Sequence, residues 1–389
     1  MRKGVVALVV LALVAAGFWW ANSGSEPSWR YDEVFKDRSQ GRLSDLIATA
    51  GDDIWVAGNA TRTVSHAGDE SADDGFLLHY DGARWQRRPM PTALGDSVHE
   101  ARFDPVDSGG FLLTASLRSL EAPRTARWDG KRWTALPPLP DGHRAADVRA
   151  FAADDIWVVD GRSRAYHWDG AGWTATDLPA TVGALDGVAS DDLWAVGHRG
   201  TAVDEDTDRE AEHTQPAAVH WDGRAWKLVR MPEYHFPAPA PPEAEAYLTE
   251  VVARAADDVR VHGEHTFNHG ETEAEPADED IRLRWDDTRW TKLPDAKGAC
   301  ADRGRAVRDG ERGSLVSDSR YLTADGDCVK ITHPRLPSTD GIKSSSQQSL
   351  RLNAVEPVPG TGKILGVGHV QVNQAGNPTS RSVIVSLER

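Results

Sequence analysis

One short stretch of the sequence combines residue types that suit metal binding. It reads "VHGEHTFNHGE" and covers residues 261–271. Imidazole nitrogens and carboxylate oxygens bind divalent transition metals, so His262, His265 and His269 are candidate metal ligands. Their spacing matches no recognised metal-binding motif. His262 also falls in a predicted strand, whereas the other two extend into a loop. A solvated loop without a metal is the alternative, and no cofactor is expected.

Acidic stretches are the second feature with chemical potential. "DEDTDREAE" (204–212) and "ETEAEPADED" (271–280) add to a net charge of −16, and "EYHFPAPAPPEAEAYL" (233–248) is a further long connection. An acidic rim attracts cations or a basic partner and repels anions. The charge also argues against nucleic-acid binding, which requires a basic footprint. A solvated surface is again the alternative. The candidate binding residues are Asp204, Glu205, Asp206, Glu210, His213, Tyr234, His235, His265, His269 and Glu271.

Paired carboxylates in the word "DDxW" resemble acid–base or metal-binding pairs, but they recur in four places along the chain. A catalytic pair is needed once, so we interpret these pairs as turn and cap residues. His79, His167 and His220 also sit at repeat positions, where Arg replaces His in other copies. The sequence contains no nucleophile elbow, P-loop or dinucleotide fingerprint.

These words belong to an internal repeat. The second word is an aromatic residue, Asp-Gly, two residues and Trp, and successive copies lie 40 to 64 residues apart. That period is typical of four-stranded propeller blades with insertions. Its copies are "HYDGARW" (79–85), "RWDGKRW" (127–133), "HWDGAGW" (167–173), "HWDGRAW" (220–226) and "RWDDTRW" (284–290).

Each word predicts a local structure. Asp-Gly between aromatic or apolar runs predicts a type I′ hairpin turn between the third and fourth strands of a blade. "DDxW" predicts the turn that leads into the second strand. Large flat side chains fill the gap between neighbouring sheets, so the repeated tryptophans are predicted to pack there. They are Trp55, Trp85, Trp133, Trp157, Trp173, Trp194, Trp226 and Trp290.

The repeats predict an all-β, seven-bladed β-propeller over residues 28–389, with six or eight blades as alternatives. Blade six (305–337) is degenerate, and blade seven begins at 350–370. The N-terminal strand 28–35 is predicted to complete that last blade, which closes the ring and protects both sheet edges.

The words "DDIW" (154–157) and "HWDGAGW" (167–173) carry a family resemblance. With their equivalents elsewhere in the chain, they resemble seven-bladed propellers of the kelch and galactose-oxidase-like type. More narrowly, they are similar to exported actinobacterial propellers that repeat these words. The resemblance implies the architecture and leaves open whether the protein binds or catalyses.

The N-terminus predicts export. Arg2 and Lys3 precede an apolar run within residues 4–20, so residues 1–27 are either a cleaved signal peptide or a retained membrane anchor. The rest of the chain would then lie in an extracytoplasmic, oxidising space. There Cys300 and Cys328 are expected to form a disulfide, with two free thiols as the alternative.

The leading functional hypothesis is a non-enzymatic, monomeric binding module that presents an acidic, loop-rich face to an unknown protein or glycan. The contrasting hypothesis is a hydrolase or lyase acting on a glycan at the central channel. A third hypothesis is a purely structural envelope domain. Membrane contact is expected only through the N-terminal segment.

Overall fold

The structure is a computed structural model that describes most of the propeller. The described residues are 26–35, 41–64, 70–95, 98–117, 123–200, 213–235, 245–267, 278–294, 298–300, 306–310, 312–376 and 378–389. They form seven antiparallel sheets of four strands each. The chain is therefore an all-β, seven-bladed propeller.

Strands follow one another from the innermost to the outermost position in blades one to six. Blade one consists of β2 (Arg42–Ala50), β3 (Asp53–Val64), β4 (Glu70–Tyr80) and β5 (Trp85–Pro89). Blade two consists of β6 (Val98–Pro105), β7 (Phe111–Leu117), β8 (Arg124–Trp128) and β9 (Trp133–Ala135). Blade three consists of β10 (Asp147–Ala152), β11 (Asp155–Val159), β12 (Arg164–Trp168) and β13 (Trp173–Asp177).

The second half of the ring repeats this order. Blade four consists of β14 (Thr181–Ala189), β15 (Asp192–Gly200), β16 (Thr214–Trp221) and β17 (Trp226–Val229). Blade five consists of β18 (Glu245–Ala255), β19 (Asp258–Thr266), β20 (Glu279–Trp285) and β21 (Trp290–Lys292). Blade six consists of β22 (Val307–Arg308), β23 (Gly313–Ser317), β24 (Arg320–Thr323) and β25 (Cys328–Lys330). Blade seven consists of β26 (Gln347–Val358), β27 (Lys363–Asn373), β28 (Thr379–Glu388) and β1 (Ser28–Val34).

The N-terminal strand β1 joins the two ends of the ring. It pairs antiparallel with β28 and supplies the outer strand of blade seven. Trp29 is 1% exposed, and its indole N–H donates to the Asp318 carbonyl of blade six at 2.7 Å. Its backbone N–H donates to the Thr332 carbonyl at 2.7 Å. The strand that completes blade seven therefore also attaches it to blade six.

Tryptophan side chains pack between neighbouring blades, as the repeated words predict. Trp194 of blade four is 1% exposed and lies 5.2 Å from Trp285 and 5.3 Å from Trp290 of blade five, between ring centroids. Trp157 of blade three contacts two tryptophans of blade four in the same way, and Trp55 of blade one does so with blade two. In these three blades the second-strand Trp thus fills the gap between its own blade and the following one.

The second Asp of "DDxW" has a structural partner in each full copy of the word. Its Oδ1 lies 2.7–2.9 Å from the Nε2 of the His that stacks on the same blade's Trp. These sets are Asp53–His79–Trp55, Asp155–His167–Trp157 and Asp192–His220–Trp194. The repeated carboxylates therefore orient a packed ring system, which agrees with a structural role.

The Asp-Gly turns differ from the predicted type I′ geometry. Trp168 pairs with Trp173, so the loop between them has four residues, and only Gly170 among them has a positive φ, of 89°. The Asp169 carboxylate accepts hydrogen bonds from the backbone N–H groups of Ala171 and Gly172, both at 2.9 Å. The side chain holds the turn closed in place of a second left-handed residue, as Asp and Asn side chains commonly do.

Blade six keeps its four strands although it lacks the repeated words. Its first strand, β22, has only two residues, and Cys300 is disulfide-bonded to Cys328 at the start of β25. The bond links the segment that precedes the blade to the blade's outermost strand. A covalent link thus accompanies the shortest inner strand of the ring.

The described residues contain no helix that is long and apolar enough to cross a membrane. The predicted leader covers residues 1–27, of which 1–25 lie outside the described ranges.

The Trp194→Ala variant should lower the free energy of unfolding by about 3–5 kcal/mol, because it opens a cavity between blades four and five. Urea unfolding followed by circular dichroism measures the change. Leu228→Ala is the control, since Leu228 is 46% exposed and should cost under ~0.5 kcal/mol. Equal effects of the two substitutions would show that the inter-blade tryptophan is dispensable.

Reduction of the disulfide should lower the free energy of unfolding by about 3–4 kcal/mol, as expected for closing a loop of this size in the unfolded chain. The bond spans 28 residues. Thermal unfolding with and without reductant measures the effect, and the Cys300→Ser/Cys328→Ser variant should show no response to reductant. An unchanged melting temperature of the parent protein would contradict the expectation.

Candidate binding site in the central channel

The innermost strands of all seven blades surround a solvent-open cavity of about 1340 Å³. Nine carboxyl side chains line it, against three guanidinium groups. The carboxyl groups belong to Asp45, Glu100, Asp104, Asp107, Asp147, Asp186, Glu250, Asp318 and Glu356, and the guanidinium groups to Arg102, Arg149 and Arg308. An excess of one charge in a cleft with low-dielectric walls concentrates counter-ions there. The channel is thus suited to positive charge.

Strand register places several of these charges in two layers. Each residue of the first layer pairs with the second-strand residue that lies three positions after the start of that strand's apolar run. The layer contains Asp45, Arg102, Asp147 and Glu250. The second layer lies two residues nearer the turn between the first and second strands, and it contains Asp104, Arg149 and Asp186. The sign of the charge alternates over blades one to three in the first layer and over blades two to four in the second layer.

Ion pairs link these layers across the blades. Arg102 Nε lies 3.2 Å from Asp104 Oδ1 on its own blade, and Arg102 Nη1 lies 3.7 Å from Asp147 Oδ1 of blade three. Arg149 contacts Asp107 of blade two through both of its terminal nitrogens, at 2.9 and 2.7 Å. Its Nε lies 3.3 Å from Asp186 Oδ1 of blade four. A ladder of alternating charges therefore follows one side of the channel.

Three channel carboxylates also accept backbone hydrogen bonds from the following blade. Their Oδ2 atoms receive N–H groups at 2.7–2.9 Å, while each Oδ1 accepts the N–H of the next residue in its own strand. The inter-blade pairs are Asp45 with Phe103, Asp147 with Leu185 and Asp186 with Ala253. Both oxygens of these side chains are thus occupied by the fold.

Asp104 differs from these three. It is 7% exposed, and its Oδ2 is buried without a hydrogen-bond partner among the described residues. Burial raises the pKa of Asp104 to about 7, opposed in part by Arg102. Burial also raises the pKa of Asp45 to about 6, against the backbone donors that favour its charged form. Among the described lining residues, Asp104 is thus the carboxyl group with an oxygen that is shielded from solvent and has no hydrogen-bond partner.

Six of the ten predicted binding residues, including all five acidic ones, lie outside the described residues. Asp204, Glu205, Asp206 and Glu210 fall within 201–212, and His269 and Glu271 within 268–277, and both segments lie outside the described residues. Their role in binding stays a prediction.

The remaining predicted binding residues lie around blades four and five. Tyr234 and His265 are buried, with ring centroids 5.3 Å apart, and His265 Nδ1 lies 3.5 Å from Glu279 Oε2. Tyr234 also belongs to the apolar core between these blades. His213 is half-buried just before β16, and His235 is exposed after β17. The fold brings Tyr234 and His265 together as packing partners.

The metal candidates divide between described and undescribed residues. His262 and His265 are both buried in β19, three positions apart, and His269 lies outside the described ranges. In the part of the chain that the structure describes, no group of three or more His, Cys, Asp or Glu side chains is arranged to hold a metal ion.

The channel charges were not predicted, although the sequence contains a signal for them. Asp45, Asp147 and Glu250 each stand eight positions before the second Asp of a "DDxW"-type word. Ala184 holds this position in blade four, and Arg102 holds it in blade two, where the word has decayed. The spacing marks the first layer only once the inner strands are aligned.

Comparison with known proteins yields structural similarity alone. No protein-family model and no curated protein matches the chain. The N-terminal domain of Nup159 is 10% identical with a TM-score of 0.44, covering 94% of this chain and 97% of that one. YCF48 bound to a peptide is 14% identical with a TM-score of 0.39, covering 80% and 100%. A glycosyl hydrolase from Bacteroides ovatus is 11% identical with a TM-score of 0.31, covering 70% and 94%. Because these identities and TM-scores are low, the count of seven blades is taken from the strand pairing of this chain itself.

The Asp104→Asn variant should gain stability relative to the parent protein as pH rises. Because the native pKa lies above that of the unfolded chain, the native state keeps a proton that the unfolded chain has lost. The parent's free energy of unfolding should therefore fall between about pH 4 and 7 through this group. Between pH 5 and 7 the difference between variant and parent should change by up to ~3 kcal/mol, at ~1.4 kcal/mol per pH unit, and it should level off above that range.

Urea unfolding across this pH range measures the difference. Asp177→Asn is the matched control, since the Asp177 side chain is 86% exposed on an outer strand. A difference between Asp104→Asn and parent that is independent of pH would disprove the raised pKa.

Proposed function

We propose that this protein is an extracytoplasmic binding module that receives a positively charged protein or glycan at one end of its central channel. The channel lining contains nine carboxyl groups but only three guanidinium groups, and this excess of acidic groups supports the proposal most directly. Such a surface accelerates encounter with cationic partners and disfavours anionic ones.

The acidic segments attach at one end of this channel. The connections from second to third strands leave β15 at Gly200 and β19 at Thr266, and the connection between blades four and five leaves after β17. Alternation of strand direction puts all of these at the end where the inner strands begin. We propose that the acidic side chains of 201–212 and 268–277 add to the attraction of a cationic partner at this end.

The cellular location is part of the proposal. Residues 1–27 would act as a signal peptide or a membrane anchor, and the Cys300–Cys328 bond suits an oxidising compartment. The resemblance to exported actinobacterial propellers of the kelch-like type supports the same location. In this proposal the protein works as a monomer and touches the membrane only through its N-terminal segment.

A glycan-acting hydrolase or lyase is the second candidate, and one observation favours it. Burial raises the pKa of Asp104 to about 7, and Asp45 and Asp147 lie on the neighbouring blades. A protonated carboxyl group beside a second carboxyl group is the arrangement used in glycoside hydrolysis. Release of reducing ends from envelope glycans tests this, and an enzyme should lose that release in both Asp104→Asn and Asp147→Asn.

A capture experiment tests the binding module. The full chain is cross-linked to the envelope fraction of its source cells, beside a variant in which 202–212 and 268–277 are replaced by short Gly-Ser linkers. Thr214 and Gln215 must be kept, because Gln215 exchanges two hydrogen bonds with the Tyr234 backbone. We expect the variant to retain at least tenfold less partner, and capture by the parent to fall as salt is added.

The control for this experiment removes negative charge from the opposite end of the ring. Asp52→Asn/Asp154→Asn/Asp191→Asn changes three exposed carboxylates of the "DDxW" turns and should capture the partner as the parent does. Capture that survives loop replacement but fails in this control would move the site to the other end and contradict the proposal.

A further inference from the structure

We propose that Arg42, Arg351 and His369 form a binding site for a phosphate group at the boundary between blades seven and one. The site is separate from the acidic channel, because none of the three residues belongs to the channel lining. The inference therefore goes beyond the proposed function and does not depend on it. The phosphate group is that of free phosphate or of a phosphate ester.

Strand register brings two of these side chains together. Arg351 pairs directly with His369 across β26 and β27, where the Cβ atoms of opposite residues are roughly 4.5–5.5 Å apart. His369 in turn pairs with Ser382 of β28, whose hydroxyl donates to the Gly41 carbonyl of blade one at 2.7 Å. Arg351, His369 and Ser382 therefore lie on the face of blade seven that is directed at blade one.

Arg42 approaches the same place from blade one. It directly follows Gly41 and is the first residue of β2. Arg42 and Arg351 also hold equivalent positions, since each immediately precedes the residue at which a bulge shifts the register of its inner strand. Blades four and five have the same bulge but carry Thr181 and Tyr247 at this position. The repeat therefore does not require arginine here, and the two arginines are specific to this boundary.

The three side chains meet without a carboxylate to balance them. Arg42 and Arg351 are exposed and His369 is half-buried, and no acidic side chain of the described residues pairs with any of the three. Burial lowers the pKa of His369, and the positive charges of Arg42 and Arg351 lower it further. In blade five the same pair of strand positions holds Tyr247 and Glu264, whose side chains hydrogen-bond at 3.0 Å. A bound anion would supply the missing negative charge and reduce the repulsion between the two arginines.

The donors of this cluster favour phosphate over carboxylate. Each guanidinium group presents its N–H donors in a planar fork that binds two oxygens of an anion at once. The forks of Arg42 and Arg351, together with one imidazole N–H of His369, outnumber the two oxygens of a carboxylate. A phosphate ester offers three acceptor oxygens and carries a charge of about −1.5 to −2 at pH 7. That charge also balances the two permanent positive charges.

Calorimetric titration of the full chain at pH 7 and low salt tests the site, with inorganic phosphate and glycerol 3-phosphate as probes. We expect at least one probe to bind more tightly than acetate does. Arg42→Gln and Arg351→Gln should each weaken that binding roughly tenfold, because each removes a charged hydrogen-bond donor. Tighter binding of inorganic phosphate would identify free phosphate as the ligand, and tighter binding of glycerol 3-phosphate would identify a phosphate ester.

Arg224→Gln is the matched control. Arg224 is an exposed arginine in the turn between β16 and β17, at the opposite end of the ring, and its substitution should leave binding unchanged. Titration of the His369 imidazole by NMR gives a second readout, since bound phosphate should raise the pKa of His369 in the parent protein. If neither probe binds, if acetate binds as tightly as the probes, or if Arg42→Gln and Arg351→Gln bind as tightly as Arg224→Gln, the phosphate site is disproved.

Discussion

The packing of a second-strand tryptophan against the following blade, seen at three blade boundaries, is the interaction on which much of this ring depends. A four-stranded sheet of this size cannot bury both of its faces alone, so each blade needs the next. Trp55, Trp157 and Trp194 supply that contact in blades one, three and four, and the Asp and His of their own blades fix the orientation of the indoles. Where the Trp is replaced by Arg260 in blade five, Asp258 pairs with that arginine and with Arg284. The position thus keeps its carboxylate while the partner changes from a ring to a guanidinium group.

Charged residues in the channel are distributed differently from those in the turns. On the turn end, carboxylates are repeated and serve packing; along the axis, charges vary from blade to blade and form a single ladder through Asp45, Arg102, Asp147, Arg149 and Asp186. Most of that ladder is satisfied by the inner strands, which stabilises the contacts between blades. Asp104 is the exception, since it shares Arg102 but receives no backbone donor. A binding function is therefore best sought where the repeat is broken and not where it is kept.

The sequence predicted the fold better than the site. Seven blades, the strand order within them and the position of the tryptophans could be derived because Asp-Gly, "DDxW" and Pro report local turn and strand preferences. The prediction of a type I′ turn was wrong. That turn needs two residues with positive φ, whereas the longer loop seen here is closed by the Asp169 carboxylate. The choice between the two depends on loop length. The channel ladder escaped prediction, since Arg102 and Asp147 meet only after blades two and three are assembled. Tyr234 and His265, predicted as binding residues from their chemistry, are buried against each other, and their role in binding stays a prediction.

The pairing of β1 with β28 has a consequence for how the protein acquires its shape. Arg30 and Ser386 of these strands are 356 positions apart in the chain, so this contact has one of the largest loop-closure costs in the molecule. Contacts of such high sequence separation slow folding. Six blades consist of consecutive strands and can form in order, whereas blade seven is complete only when β1 pairs with β28. Until then β28 is an unprotected edge to which a strand of another chain could attach, so aggregation during folding is expected to begin at this blade.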